Sequence, residues 1–448
     1  MNEYKRHKRF IKNPPRVLAL GFLSVIFLGS LLLMLPIASN EGTVTHYLDA
    51  LFTATSAVCV TGLTTVITAE HWTLFGQIVI ILLIQFGGLG FMTLATMVAM
   101  LLGKRITLND RLIIKEQMNT FGLTGMVRLI RYVIASTFII EGIGALLLSL
   151  QFIPEFGLSR GIYYSIFHSI SSFCNAGFDV LGSTSLMKYQ SNPLILLTVS
   201  SLIVVGGLGF NVYMDLTTNK LNFKKYALHT KIVLLMTLVL LLFGGLGFFF
   251  LESHNPGTLE GLSLGDQILN SYFQSVTTRT AGYYSFDQGM ISDPSTILSS
   301  ILMFIGGSPA GTAGGIKTVT FFMLLLITYS EIKGNDGLEI FNRRIAVEQS
   351  RRAIAILMIA LLWVMIITII MLGLEPFPFE DLLYEVTSAF GTVGLTKNLT
   401  PQLTSISKIL LIISMYLGRV GTITLVFSFA NNKKKKQYKE AYGNVIIG

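Results

Sequence analysis

The chain has 448 residues, of which 52% are hydrophobic and only 13% charged, against roughly 25% charged in soluble domains. That balance excludes an ordinary soluble globular protein and places the chain in a bilayer. The net charge of +9 does not form a nucleic-acid patch, because 26 of the 33 Lys and Arg fall in five segments, 1–16, 103–131, 219–231, 330–352 and 430–448, kept apart by apolar stretches.

Taken in chain order, the basic start "KRHKRFIKNPPR" leads into an apolar run at 18–37. A secretory leader has this polarity, but the run is about twenty residues long and others follow it, so it reads as a first membrane span. Further stretches long enough to cross about 30 Å of hydrocarbon lie at 77–102, 129–151, 193–214, 232–251, 296–328, 353–374 and 406–429, which makes eight candidate spans. The five basic segments are every second loop plus both ends, so the positive-inside rule sets both termini in the cytoplasm. "KKKK" at 433–436 is then an inner-face stop. Four more, Arg160, Lys188, Lys397 and Lys408, lie in or beside the alternate loops, which leaves three basic residues, Arg279, Lys317 and Arg419, at membrane depth, where ionisable groups are costly and generally functional.

Between successive spans the outer loops repeat one pattern: "LFTATSAVCVTGL" (51–63), "IFHSISSFCNAGF" (166–178), "SYFQSVTTRTAGY" (271–283) and "LYEVTSAFGTVGL" (383–395). They align on Gly62, Gly177, Gly282 and Gly394, each with an aromatic ten residues before it and a large apolar residue after it. The glycines are 115, 105 and 112 residues apart, and a second glycine cluster follows each at 24 to 29 residues. The unit is span, short helix, glycine loop, span, four times over. Its boundaries are expected at 18–126, 127–222, 223–346 and 347–448, after a basic tail at 1–17. A helix of about twelve residues reaches about 18 Å, half a bilayer, so the short helices are re-entrant. The expected fold is an all-α integral membrane protein with four units in pseudo-four-fold symmetry around one ion pore.

Only glycine takes left-handed dihedrals freely and turns its carbonyl to an axis without a Cβ in the way. Four such turns place carbonyl rings around a dehydrated monovalent cation. "TVGL" at 392–395 is similar to the start of the potassium-channel filter TVGYG, and with the four-fold plan the chain resembles the Trk/Ktr/HKT superfamily of cation-uptake proteins, in particular the membrane subunit of bacterial Ktr potassium systems. The resemblance implies a filter at Val60, Thr61, Gly62 and Leu63; Asn175, Ala176, Gly177 and Phe178; Thr280, Ala281, Gly282 and Tyr283; and Thr392, Val393, Gly394 and Leu395. K+ is its expected ion, held by backbone carbonyls, with Na+ as a second ion that stimulates or couples to uptake. It also implies a homodimer in the plasma membrane, the bacterial inner membrane, surrounded by lipid, and a cytosolic Rossmann-type ring binding ATP or ADP. No cofactor, catalytic residue or nucleic acid is expected.

The third unit carries "IGGSPAGTAGGIKT" at 305–318 between two apolar runs. It nearly spells a phosphate loop, but Ile316 intrudes before Lys317 and no preceding strand is in sight. A run of 33 residues with Pro309 and several glycines does not continue as one helix; it breaks into two helices joined by a loop below the filter. The resemblance makes that loop, Gly306, Gly307, Ser308, Pro309, Ala310, Gly311, Thr312, Ala313, Gly314, Gly315 and Lys317, the gate. Arg419, 25 residues after Gly394, is either an electrostatic barrier in the pore or a structural partner of Glu141 or of pore-helix carbonyls. Arg279 is expected to brace the filter against an outer acid such as Asp266, Glu141 to be structural, and Cys59 and Cys174 to fill space behind the filter. "GGLGF" at 87, 206 and 244 reads as helix-packing glycine. The competing function is an alternating-access carrier, disfavoured because such carriers have inverted repeats with matching broken helices and the Gly-Pro break occurs in one unit.

Overall fold

The computed structural model describes residues 14–90, 93–94, 96–97, 100, 108–117, 126–220, 222–334 and 337–421. Most of the N-terminal basic tail and the C-terminal tail with Lys433–Lys436 lie outside the described residues. Each unit has a leading helix, a pore helix and a return helix.

The leading helices are Pro14–Leu33, Met126–Phe156, Leu228–Glu252 and Val347–Leu372. They are the four described helices long and apolar enough to cross a bilayer unbroken. Their outward faces stay apolar, as at Leu28, Leu146, Phe250 and Ile369, all more than half exposed, because lipid and not water is their solvent. Their inward faces carry small residues: a Cβ on Gly244 would lie 2.9 Å from a Leu302 methyl and 3.0 Å from Ser275 Cβ, so glycine sets how closely pore and return helices approach.

The pore helices are Tyr47–Cys59, Leu158–Phe173, Leu264–Thr277 and Phe379–Gly391, 13 to 16 residues each. At 1.5 Å per residue that is about 20–24 Å, too short to cross, so each stops inside the protein. Their buried faces are crowded with hydroxyls, among them Thr53, Ser56, Ser171, Thr277 and Ser388, which the re-entrant turn then uses.

The return helices are Leu74–Leu89, Pro193–Leu208, Asp293–Phe304 and Ser405–Val420. Three of them begin on a side-chain cap: Thr73 Oγ1 accepts from Gly76 N, Asn192 Oδ1 from Ile195 N and Thr404 Oγ1 from Ser407 N. Ser292 heads the other, its amide and hydroxyl donating to Glu252 Oε1 at 3.0 and 2.7 Å. Glu375 takes the same two donations from Thr404 at 2.8 and 2.7 Å. The acids at the outer ends of two leading helices thus fasten the return helices that follow.

Eight candidate spans were expected, with a break in the return segment of the third unit alone; breaks occur in other return segments as well. In the second unit the chain bends by 94° at Gly209 (φ 93°) and continues as the helix Phe210–Asn219. In the first and fourth units the return helix ends at Gly90 (φ 85°) and Gly421 (φ 91°). The third unit breaks as expected, with a non-helical stretch from Ile305 to Lys317 before the helix Thr318–Ile332. The "GGLGF" reading is therefore half corrected: Gly87 and Gly206 pack against the Val58 and Phe173 carbonyls, but Gly90 and Gly209 are backbone breaks. A two-stranded hairpin, Glu339–Ile340 with Arg343–Arg344, joins the third and fourth units.

Candidate ion pathway

All four aligned glycines have left-handed dihedrals, with φ of 96° at Gly62, 68° at Gly177, 82° at Gly282 and 97° at Gly394. Their surroundings form a closed circuit. A Cβ on Gly62 would lie 2.6 Å from Ala176 O, one on Gly282 would lie 2.6 Å from Val393 O, one on Gly177 would collide with Ala281 O, and one on Gly394 with Thr61 O. Each glycine thus abuts the carbonyl just before the glycine of the next loop, and the fourth returns to the first. The relation is rotational, which brings the sixteen sequence-predicted filter residues to one ring.

The repeat pattern leads one to expect special backbone dihedrals at the glycines alone. The residue two before each glycine is left-handed as well: Val60 (φ 58°), Asn175 (59°), Thr280 (73°) and Thr392 (53°). For a β-branched residue this costs energy, and pore-helix hydroxyls hold it in place. Gly62 N donates to Ser56 Oγ at 3.0 Å and Gly394 N to Ser388 Oγ at 3.1 Å; Ser171 Oγ donates to Phe178 O at 2.7 Å and Thr277 Oγ1 to Tyr283 O at 2.5 Å. The apolar residues after the glycines, Leu63, Phe178, Tyr283 and Leu395, are fully buried behind the ring. The pore-helix C-termini, with their partial negative charge, end next to it.

Beneath this ring lies the loop 305–317. Its neck is closed by Ile316 N donating to Phe304 O at 3.3 Å and Thr318 N to Gly307 O at 3.0 Å, and by the Ser308 and Thr318 hydroxyls 3.0 Å apart. Lys317 Nζ donates to Ala313 O at 2.7 Å, so the lysine ties the loop to itself. On one side Ser308 N and Thr312 N donate to Gly207 O (2.9 Å) and Gly206 O (3.2 Å), and Phe210 N donates to Ala310 O at 3.0 Å: the loop is fastened to the break at Gly209. Above, Thr312 Oγ1 donates to Phe173 O at 3.1 Å, and Gly314 sits where a Cβ would come within 3.0 Å of Thr392 Cβ.

Arg419 ties the loop to the first unit. Its guanidinium donates to Thr312 O of the loop and to Gly87 O and Gly88 O of the first return helix. Of the expectations for it, pairing with Glu141 is not what forms: Glu141 instead accepts from Gln85 Nε2 at 3.1 and 3.3 Å. The carbonyls it holds belong to the loop and a return helix, not to pore helices. Arg279 also departs from expectation. Asp266 is engaged with Ser263 at the far end of the third pore helix, thirteen residues and about 20 Å of helix away, and no described ion pair joins the two. Arg279 is 7% exposed and its Nε has no partner. Cys59 and Cys174 are fully buried; a Cβ on Gly88 would lie 2.6 Å from Cys174 Sγ, which fits filling of space between pore loop and return helix.

What the sequence did not reveal are the breaks Gly90, Gly209 and Gly421 and the bracing role of the pore-helix hydroxyls Ser56, Ser171, Thr277 and Ser388, which the repeat shows only as hydroxyls five or six residues before each glycine. A signal was present for the breaks: each stands three residues after the first glycine of its cluster, at Gly87, Gly206 and Gly418.

Four rotationally related glycine turns standing over the broken return segment of the third unit define a multi-pass membrane protein of the cation-transport class. The chain belongs to the TrkH family of cation transport proteins, whose model matches residues 5–440. It is 43% identical over the full length of both chains to the potassium/sodium uptake protein NtpJ of Enterococcus hirae. It is 42% identical to the Ktr system potassium uptake protein B of Bacillus subtilis, over 97% of each chain. Among solved structures, the potassium transporter TrkH from Vibrio parahaemolyticus superposes with a TM-score of 0.71 at 17% identity, covering 92% of this chain and 84% of that one.

Proposed function

We propose that this chain is the K+-conducting membrane subunit of an uptake system in the bacterial plasma membrane, with Na+ as a second ion that stimulates or couples to flux. The observation that carries the reading is the closed ring of four left-handed glycines standing directly over a latched loop. Backbone carbonyls at Val60–Leu63, Asn175–Phe178, Thr280–Tyr283 and Thr392–Leu395 replace the ion's hydration shell. The loop 305–317 closes the path below.

Both termini are cytoplasmic in this reading. The chain functions as a homodimer opened by a cytosolic Rossmann-type ring that binds ATP or ADP; the naming of a relative as part of a Ktr system supports a multi-component assembly. The gate's attachment to the bent helix Phe210–Asn219 supplies a route by which a cytosolic partner pulls on it. The alternating-access alternative is disfavoured by the rotational relation of the four loops, since inverted repeats are related by an axis in the membrane plane. The break at Gly209 removes the other sequence argument against it, because broken return helices are not confined to one unit.

The deciding measurement is ion flux in proteoliposomes with the potential clamped. K+ uptake that saturates, follows the potential and exceeds Na+ uptake supports the reading; flux of equal size for both ions, indifferent to the potential, overturns it.

Arg419 has its own expected result. As a mere point charge in the path, it is replaceable by lysine with parental flux. As a three-pronged latch it is not, because an ammonium lacks the planar fork that reaches two backbone segments at once. Arg419→Lys and Arg419→Ala are both expected to raise K+ flux several-fold; parental flux in the lysine variant alone restores the barrier reading.

A further inference from the structure

The gate loop touches the filter through a side chain that carbonyl chemistry does not need. Asn175 stands in the second filter loop with left-handed φ of 59°, a conformation Asn tolerates better than other residues with a Cβ. Asn175 is 1% exposed, and its carboxamide lies 3.1 Å from Thr312 Oγ1 of the gate and 3.4 Å from Thr280 Oγ1 of the third filter loop. The amide orientation that satisfies both of its ends has the nitrogen donating to Ile203 O and Phe173 O at 3.2 Å and to Thr312 Oγ1 at 3.1 Å. The oxygen then faces the Thr280 hydroxyl. Thr312 Oγ1 in turn donates to Phe173 O, the last residue of the second pore helix.

One carboxamide therefore joins two left-handed filter residues, Asn175 and Thr280, to the loop that blocks the pore. On the opposite side of the ring, Gly314 leaves no room for a Cβ beside Thr392, the left-handed residue of the fourth loop, whose buried hydroxyl has no hydrogen-bond partner. The second and fourth loops face each other across the ring, so the gate underpins both ends of one diagonal.

We infer that the closed gate is part of the ion site: Thr312, through Asn175, positions the second and third filter turns, so that K+ binding in the ring and closure of the loop favour one another. Coupling of two equilibria is reciprocal. Bound K+ holds the gate shut, and a gate that opens loosens the ion above it and eases its release inward. Asn175 and Thr312 are positioning residues in this scheme, since the carbonyls make the contact with the ion. The inference rests on the filter and gate reading given above.

The test is equilibrium K+ binding to the detergent-solubilised full chain by calorimetry, with proteoliposome flux in parallel. Thr312→Val keeps the side-chain volume and the loop's backbone bonds to Gly206 O and Arg419 but removes the hydroxyl. It is expected to weaken K+ binding about three- to tenfold, the size of one neutral hydrogen bond. Thr312→Ser is expected to restore parental binding, and adding Asn175→Ala to Thr312→Val to cost little more than the larger single change. Gly314→Ala, which presses a methyl on Thr392, tests the other end of the diagonal and is expected to weaken K+ binding too. Parental K+ affinity in Thr312→Val and Gly314→Ala, both eluting as homogeneous protein, overturns the inference and leaves a plain plug, whatever their flux. Failure of the filter reading is distinguishable, for then Gly177→Ser also binds K+ like the parent.

Discussion

Serine at Gly177 or Gly394 is expected to weaken the apparent affinity for K+ by about tenfold or more and to admit Na+. Two effects add at each site. A residue with a Cβ in left-handed conformation costs roughly 1–2 kcal/mol, and here the new atom collides with a neighbouring backbone carbonyl, Ala281 O or Thr61 O, which is itself held in the ring and has nowhere to move. The turn must rotate, and its carbonyl leaves the axis. The same holds at Gly62 and Gly282, where the nearest carbonyls, Ala176 O and Val393 O, lie 2.6 Å from the added atom. The ring contacts make the effect spread to the adjacent loop, so each single serine acts on two turns. Uptake kinetics of K+ against Na+ in a strain lacking other K+ transporters give the answer. Parental affinity and selectivity in all four variants would sink the filter assignment.

Deleting Pro309 to Gly314 is expected to give the largest gain of flux. The two limbs of the loop already run close at the neck, where a Cβ on Gly306 would lie 3.2 Å from Gly315 Cα, and Thr318 N to Gly307 O still closes it. What disappears is Thr312 with its bonds to Gly206 O, Phe173 O and Arg419, and Ala310 O with its bond to Phe210 N. The cavity under the ring then opens to water, and the link to the bent helix is cut. K+ uptake per membrane protein should rise several-fold and lose its dependence on a cytosolic partner. Loss of expression or of uptake would show that the loop is a packing kink, and parental, partner-dependent uptake would exclude it as the gate.

Much of this molecule is legible in its sequence because the demands were local and repeated. Spans follow from runs of apolar residues, which the bilayer requires of any crossing helix. The turn of the proposed filter needs a residue without a Cβ at one point, and four copies of the surrounding pattern reveal that point at Gly62, Gly177, Gly282 and Gly394. The intramembrane loop is visible because Pro309 and its glycines cannot remain helical. These are properties of a residue and its immediate chain neighbours.

Only the tertiary structure decided what each charged or polar group meets. Arg419 closes on carbonyls 107 and 332 residues away, Asn175 on a hydroxyl 137 residues away, and Glu141 on an amide 56 residues away. A guanidinium or a carboxamide accepts many partners of the same chemistry, so residue type alone does not choose among them. The helix register does, and that is why Arg279 stands about 20 Å of helix from the acid that composition offered it. The left-handed turns at Val60 and Thr392 are likewise dictated from outside: their β-branched side chains oppose that conformation, and pore-helix hydroxyls together with the closing of the ring impose it.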